Sequence, residues 1–154
     1  MQMKTLSLLI PAIALTLLLA GCSSSGNSYI GKEYELNKVW VLQNLAGKTA
    51  DNSNFPNGLP WMELKVNSTT MSGSTGCNTM GGPVYATSDK IYFGNIISTR
   101  MYCEGVNEQG FFNALQNART WTIENDRLFL YDAPGGIVLA VFKEGEVPKT
   151  EPQN

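Results

Sequence analysis

The 154-residue sequence contains no histidine. This absence excludes Ser-His-Asp and Cys-His nucleophilic sites, histidine-based zinc sites and the commonest general base near neutral pH. Charged residues are also scarce, at 16% of the chain, and slightly acidic in balance, with 11 Lys and Arg against 13 Asp and Glu. Because nucleic-acid binding requires a basic face, this balance argues against nucleic acid as a partner.

The sequence has no apolar run long enough for a comfortable transmembrane helix, which needs about 20 residues. The run from Leu6 to Ala20 follows the positively charged Lys4 and has the length of a signal-peptide core. It ends in Leu19-Ala20-Gly21-Cys22, which resembles the lipobox of bacterial lipoproteins. We therefore expect residues 1–21 to be a lipoprotein signal peptide and Cys22 to carry acyl chains. An uncleaved anchor and an ordinary secretory signal are the alternatives.

The residues around Cys22 also predict where the protein resides. Ser23 follows the cysteine where Asp would signal retention, so the sorting rule of enteric-type bacteria predicts the outer membrane, facing the periplasm. The sequence has no polybasic run to hold the folded part on anionic lipid, so the acyl chains on Cys22 are the expected membrane contact.

Polar segments are predicted to flank a single folded domain. Residues 22–36 begin with a polar, turn-prone stretch and are expected to form a flexible tether. Residues 144–154 contain two prolines and no apolar periodicity, which predicts a disordered tail. The folded domain is therefore expected to span residues 37–143, a length that fits one domain.

Patterns inside this range predict strands and one helix. Alternation or β-branched and aromatic content predicts strands at Val39–Leu42, Met62–Val66, Thr70–Ser74, Val84–Thr87, Lys90–Phe93, Trp121–Glu124, Arg127–Tyr131 and Ile137–Phe142. Asn125-Asp126 suits a two-residue hairpin turn. Asn107 is expected to cap a helix in which Phe111, Leu115 and Ala118 recur at helical spacing. The predicted class is α+β, mostly antiparallel β, as a curved sheet or partly open barrel closed by one helix.

Five segments in order resemble the META domain family, also called HslJ-like or DUF306. They are Trp40–Lys48 (W-x-L-x-x-L-x-G), Ser72–Asn78 (G-x-x-G-C-N), Thr99–Cys103 (T-x-M-x-C), the helix Glu108–Leu115 and the closing hairpin through Phe142. The resemblance implies a small envelope lipoprotein or secreted domain, linked in some members to heat shock or tolerance of antibiotic stress. It implies no enzymatic activity, and it marks signature residues with a structural or binding role: Gly76, Asn78, Thr99, Arg100 and Met101.

Two cysteines remain once Cys22 is assigned to lipidation. Cys77 and Cys103 form an even pair in a chain expected to enter an oxidising compartment, which predicts a disulfide between them. A free reactive thiol and a metal-binding pair are the alternatives.

Three further groups of residues could have functional roles, but we favour a structural interpretation for each. Three acids could meet as paired carboxylates but are interpreted as solvated surface acids: Glu63, Glu104 and Glu108. Four glycines are interpreted as bulge or tight-turn positions: Gly73, Gly76, Gly81 and Gly82. Three methionines are interpreted as fillers of an irregular core, and not as copper ligands: Met71, Met80 and Met101. The sequence therefore predicts no catalytic residue, no metal site and no cofactor.

Three functional hypotheses follow. The first is a non-enzymatic, lipid-anchored envelope lipoprotein that binds or supports an envelope protein partner in envelope integrity or stress tolerance. The second is a carrier or pilot-like module with an apolar cavity for an acyl chain or peptide, which a cavity in the barrel would favour. The third is an enzyme of unrecognised type, which a cleft holding several perturbed carboxylates would favour.

Overall fold

The computed structural model describes residues 31–147. The predicted signal peptide, Cys22, most of the tether and the end of the tail lie outside these residues. The described strands are β1 (Val39–Leu45), β2 (Lys48–Thr49), β3 (Trp61–Lys65), β4 (Thr70–Ser74), β5 (Thr79–Ala86), β6 (Ile91–Phe93), β7 (Ile97–Ser98), β8 (Thr120–Glu124), β9 (Arg127–Tyr131) and β10 (Val138–Gly145). The α-helix, α1, spans Glu108–Asn117, and 3-10 turns span Lys32–Leu36 and Val66–Ser68. Within residues 31–147, no helix combines the length and apolar character needed to cross a membrane.

The strands form one antiparallel sheet that curves into a nearly closed barrel. Their order is β6-β5-β4-β3-β1-β10-β9-β8, with β2 added to β1 and β7 added to β5. The terminal strands β6 and β8 approach each other at a bridge between Lys90 and Thr120. Beside it, the Trp121 N–H donates to the Asp89 carbonyl at 3.1 Å. The short bridge leaves a seam in the barrel, and the predicted α+β fold with a partly open barrel and one helix is confirmed.

The interior of the barrel is filled by large side chains. Alternation along the strands directs every second residue inward, and Trp40, Trp121 and Phe142 are buried in this way. Phe55 of the β2–β3 connection and Phe111 of α1 are fully buried with them in the same core. Helix α1 begins after Asn107, whose Oδ1 accepts a hydrogen bond from the Gly110 N–H at 3.2 Å. Phe111 then meets Phe142 of β10 edge to face, with ring centroids 6.2 Å apart. The helix is thereby fixed against the sheet by apolar packing.

The folded domain extends past its predicted limits at both ends. Leu36 is fully buried, and its carbonyl accepts a hydrogen bond from Trp40 Nε1 at 3.0 Å. Strand β10 continues to Gly145, which pairs with Val39. The sequence analysis placed Leu36 in the tether because that segment begins with a polar, turn-prone stretch, and Gly145 in the tail because that segment has no apolar period. Contacts with β1 outweigh that local composition, through the Trp40 side chain for Leu36 and through strand pairing for Gly145.

Three of the four glycines interpreted as bulges or turns lie in regular strand. Gly73 is in β4, and Gly81 and Gly82 are in β5, where the β4–β5 register runs without a shift from Thr70↔Pro83 to Ser74↔Thr79. That interpretation is therefore wrong for these three. Gly82 is required by close approach, since a Cβ there would lie 2.8 Å from the Asn95 carbonyl oxygen. Glycine here lets the β6–β7 connection lie against β5.

Candidate functional site

The side chain of Asn78 ties together three separate segments of the chain. Asn78 is buried just before β5. Its Oδ1 accepts hydrogen bonds from the Met101 N–H at 2.7 Å and Thr99 Oγ1 at 2.8 Å. Its Nδ2 donates to the Met101 carbonyl at 3.1 Å and to Glu108 Oε1 at 2.9 Å. All four hydrogen-bonding positions of the amide are thus used, and they join the G-C-N segment to the T-x-M-x-C segment and to α1.

Thr75 and Glu108 form a second connection through the same network. Thr75 is fully buried, and its Oγ1 accepts from the Asn78 N–H at 2.9 Å and donates to Glu108 Oε1 at 2.6 Å. Glu108 is the first residue of α1, where the helix dipole favours a negative charge. The interpretation of Glu108 as a solvated surface acid is therefore wrong, because its carboxylate holds the helix to the β4–β5 turn.

A disulfide joins Cys77 to Cys103, which lie 26 positions apart in sequence, and the two Cα atoms are 5.8 Å apart. This is the pairing that the sequence predicted. It acts beside the Asn78 network, so the chain is held at Met101 by hydrogen bonds and at Cys103 by a covalent bond. The intervening residue, Tyr102, therefore sits on a backbone fixed on both sides.

The segment Ile97–Cys103, which we call the signature loop, places large side chains in solvent. Tyr102 is 90% exposed and Met101 is 60% exposed. Met101 was predicted to fill the core and does not, whereas Met71 and Met80 are buried as predicted. A cleft of about 280 Å³ separates the loop from α1, and its walls include Met101, Tyr102 and the helix residue Phe112.

Arg100 lies in the signature loop with an exposed side chain. The ion pairs among residues 31–147 are Lys38–Glu144 and Lys65–Glu63, so Arg100 does not pair with the nearby acid Glu104. The loop thus presents an apolar tip together with a guanidinium group that has no carboxylate partner in the described part of the chain.

Gly76 is the one signature residue whose backbone requires glycine. Its φ of 84° lies in the left-handed region, and a Cβ would lie 2.5 Å from the Gly58 carbonyl oxygen. Its predicted place in a tight turn is therefore confirmed. The turn packs against the β2–β3 connection, which also accepts a hydrogen bond at Asn54 from the Asn107 N–H at 3.1 Å.

Two of the acids considered as paired carboxylates, Glu63 and Glu108, contact different partners in the structure. Glu63 pairs with Lys65 at 3.1 Å on β3, and Glu108 belongs to the Asn78 network. Across residues 31–147, no group of three or more His, Cys, Asp or Glu side chains is arranged to hold a metal ion. The pKa of the Asp51 carboxyl is lowered because Ser53 donates to it from its hydroxyl at 2.6 Å and its N–H at 2.8 Å. Asp51 lies in an exposed turn, so its shift does not mark a catalytic cleft.

The structure brings four of the predicted signature residues to one place: Gly76, Asn78, Thr99 and Met101. Sequence reasoning missed Thr75 and the role of Glu108 in that assembly. A usable signal was present for Thr75, because a threonine three residues before Asn78 can close a turn through its hydroxyl. The sequence contains no comparable signal for the bond to Glu108, which lies 33 positions away.

Comparison with known proteins adds a family and a fold. The model of the META domain matches residues 33–145. An NMR structure of a protein from Burkholderia xenovorans aligns with a TM-score of 0.57 at 21% identity, covering 76% of this chain and 88% of that one. A second NMR structure aligns with a TM-score of 0.55 at 19% identity, covering 73% and 93%. At these identities the likeness shows the fold alone. No curated protein matches the chain.

Proposed function

This chain belongs to the META domain family, and we propose that it is a non-enzymatic lipoprotein, anchored through Cys22, that binds an envelope partner with its signature loop. The observation that carries the proposal is the exposure of Met101 and Tyr102 on a backbone held by Asn78 and the disulfide. Tyrosine is enriched among the residues that dominate binding energy. A loop that is already ordered loses less entropy when a partner binds.

The topology supports a loop that faces away from its anchor. Strand β4 begins beside the turn Val66–Ser68, which packs against Lys32–Leu36. It ends at Ser74, next to Thr75 of the Asn78 network. Five strand residues, at about 3.3 Å each, separate these two ends. A lipid attached upstream of residue 31 would therefore hold the protein by the end opposite the signature loop, leaving Tyr102 free to meet a periplasmic partner.

We place the protein at the outer membrane, facing the periplasm, with a supporting role in envelope integrity or in tolerance of heat or antibiotic stress. Family membership supports a role without catalysis, since the META family is not a known enzyme family. The carrier hypothesis is less favoured because aromatic side chains, among them Trp40, Phe111 and Trp121, occupy the barrel interior. The enzyme hypothesis is less favoured because Glu63 and Glu108 have separate structural partners.

Lipidation at Cys22 is the first prediction. Mass spectrometry of the mature protein should find a chain that begins at Cys22 and carries acyl groups. Three acyl chains, at about 0.8 kcal/mol per buried methylene, would hold it against washing with high salt. The Cys22→Ser variant should accumulate as an unprocessed precursor without acyl groups. A mature chain that begins elsewhere or lacks acyl groups would contradict the proposed anchor.

Partner binding through Tyr102 is the second prediction. A photo-crosslinking side chain at position 102 should capture one defined envelope protein in intact cells. The same group at Tyr34, which is 57% exposed, serves as the control and should not capture it. Tyr102→Ala should weaken partner binding about 30-fold, the effect of a 2 kcal/mol hot spot, without changing the melting temperature.

Three outcomes would count against this mechanism. Equal capture from positions 102 and 34 would show that the crosslink reports proximity in the envelope. Wild-type affinity in Tyr102→Ala would remove the loop from the interface. Loss of function in Arg100→Met with normal folding and normal capture would indicate chemistry instead of binding.

A further inference from the structure

A second surface with binding chemistry lies on the outer face of β5 and β6. Tyr85 and Tyr92 are directly opposite each other in the two strands, with ring centroids 6.3 Å apart and ring planes inclined by 26°. Their neighbours Val84 and Ile91 are buried, so the alternation of the strands turns both tyrosines outward. Tyr85 is 52% exposed and Tyr92 is 53% exposed. The pair thus offers an aromatic surface with hydroxyl groups to solvent.

Two cations border this pair. Lys90 and Arg119 line the same open cleft of about 300 Å³ as the tyrosines. Neither cation has a carboxylate within ion-pair distance in the described part of the chain, where the ion pairs are those of Lys38 and Lys65. The neighbouring acid, Asp89, accepts a hydrogen bond from Thr87 Oγ1 at 3.2 Å.

The guanidinium of Arg119 is held in place by the end of α1. Its Nη1 donates to the Gln116 carbonyl at 2.8 Å and to the Ala118 carbonyl at 2.7 Å. These bonds satisfy carbonyl groups at and just beyond the helix terminus. They leave the other N–H donors of the guanidinium for a ligand. Because the side chain is already fixed, binding an anion would cost it less conformational entropy.

The charge at this cleft is opposite to that of the domain. Residues 31–147 contain 9 Lys and Arg against 12 Asp and Glu, because Lys4, Lys149 and Glu151 lie outside this range. The described domain is therefore acidic. Two cations without ion-pair partners beside two half-exposed aromatic rings therefore complement a ligand that is both anionic and partly apolar.

We propose that the cleft formed by Tyr85, Lys90, Tyr92 and Arg119 binds an acidic glycan. A sugar ring has an apolar C–H face that can pack on the tyrosine rings and hydroxyl groups that can bond to the phenols. Carboxylates on the sugar would pair with Lys90 and Arg119. An acidic peptide fits less well, because peptides that add to sheets gain affinity from an open strand edge. Here Tyr85 and Tyr92 pair with each other in the β5–β6 ladder, so what these two residues present on its outer face is their side chains.

The test uses detergent-solubilised full-length protein and three probes. The probes are oligogalacturonate, the same oligomer fully methyl-esterified, and poly-glutamate of similar charge. Calorimetric titration should detect saturable binding of oligogalacturonate that weakens as salt is added. The methyl ester and poly-glutamate should bind at least about tenfold more weakly, a difference of 1.4 kcal/mol.

Paired variants locate the binding to the cleft. Lys90→Glu and the double variant Tyr85→Ala/Tyr92→Ala should each raise the Kd for oligogalacturonate about tenfold or more. The matched controls are Lys48→Glu and Tyr34→Ala, which change an exposed lysine and an exposed tyrosine elsewhere and should leave the Kd unchanged. Lys90→Glu keeps the test decisive if removing both tyrosines destabilises the sheet.

Several results would overturn the proposal. One is the absence of saturable binding to oligogalacturonate at millimolar concentration. Another is equal or tighter binding of poly-glutamate, which would assign the cleft to an acidic peptide. Binding of the methyl ester as tight as that of oligogalacturonate would show that the carboxylates of the ligand do not contribute to recognition. Equal losses of affinity in Lys48→Glu and Lys90→Glu would show that binding depends on the net charge of the protein and not on the cleft. None of these results bears on the signature loop, so the two proposals fail independently.

Discussion

Replacing Asn78 by alanine is expected to lower the free energy of unfolding by about 3 kcal/mol or more. The substitution removes an amide that makes four hydrogen bonds to the rest of the network. It leaves the Met101 N–H and the Glu108 carboxylate each without one of their partners. Unsatisfied polar groups in a part-buried site cost about 1–3 kcal/mol each, and more when the group is charged.

Unfolding in urea measures the free energy of unfolding, and two further variants serve as comparisons. Asn113→Ala removes an exposed asparagine whose Oδ1 accepts from Gln109 Nε2 at 2.8 Å, and should cost no more than about 0.5 kcal/mol. Asn78→Asp keeps the acceptors but turns an oxygen toward the Met101 carbonyl and the Glu108 carboxylate. It should therefore be at least as unstable as Asn78→Ala at neutral pH. If Asn78→Ala and Asn113→Ala unfold at the same urea concentration, the Asn78 network contributes no stability.

The local sequence predicts the elements whose formation depends on neighbours in the chain. Asn125 and Asp126 have φ values of 51° and 59°, as the two-residue hairpin requires. The cap at Asn107 and the alternating strand β3 also form where they were expected. In each case a few adjacent residues contain the physical cause, which is a turn preference, a capping side chain or a regular apolar period.

The elements that were missed form because distant parts of the chain stabilise them. The start of β5 contains Gly81, Gly82 and Pro83, which are poor strand formers, yet this stretch pairs with β4 on one side and β7 on the other. Tertiary pairing overrides the local preference. Strand β7 has two residues and therefore no period from which it could be predicted.

The candidate site divides in the same way. Resemblance identified Asn78 and Met101 as signature residues, and the cysteine count identified the disulfide. The exposure of Met101 could not be predicted, because methionine is usually a core residue and its backbone is fixed by a residue 23 positions earlier in the chain. The assembly of Thr75, Asn78 and Glu108 likewise depends on contacts between segments.

Reducing the Cys77–Cys103 disulfide is expected to lower the melting temperature by about 10–20 °C. Closing a loop across 26 positions removes entropy worth about 3.5 kcal/mol from the unfolded chain. A domain of this size has a total stability of about 5–15 kcal/mol, so the bond accounts for a large share of it. The double variant Cys77→Ser/Cys103→Ser should melt near the temperature of the reduced wild type, and a reductant should not lower it further.

Reduction also distinguishes the two contacts that hold the signature loop, which are the hydrogen bonds from Asn78 and the disulfide. If the disulfide acts mainly on the unfolded chain, reduction leaves the folded network intact, and the Met101 N–H stays protected from hydrogen exchange by Asn78. In Asn78→Ala that protection should be lost even with the disulfide closed, because the acceptor is gone. Loss of Met101 protection on reduction alone would mean that the covalent bond positions the loop. Two alkylatable thiols in the oxidised native protein would contradict the disulfide and restore the metal-pair alternative for Cys77 and Cys103.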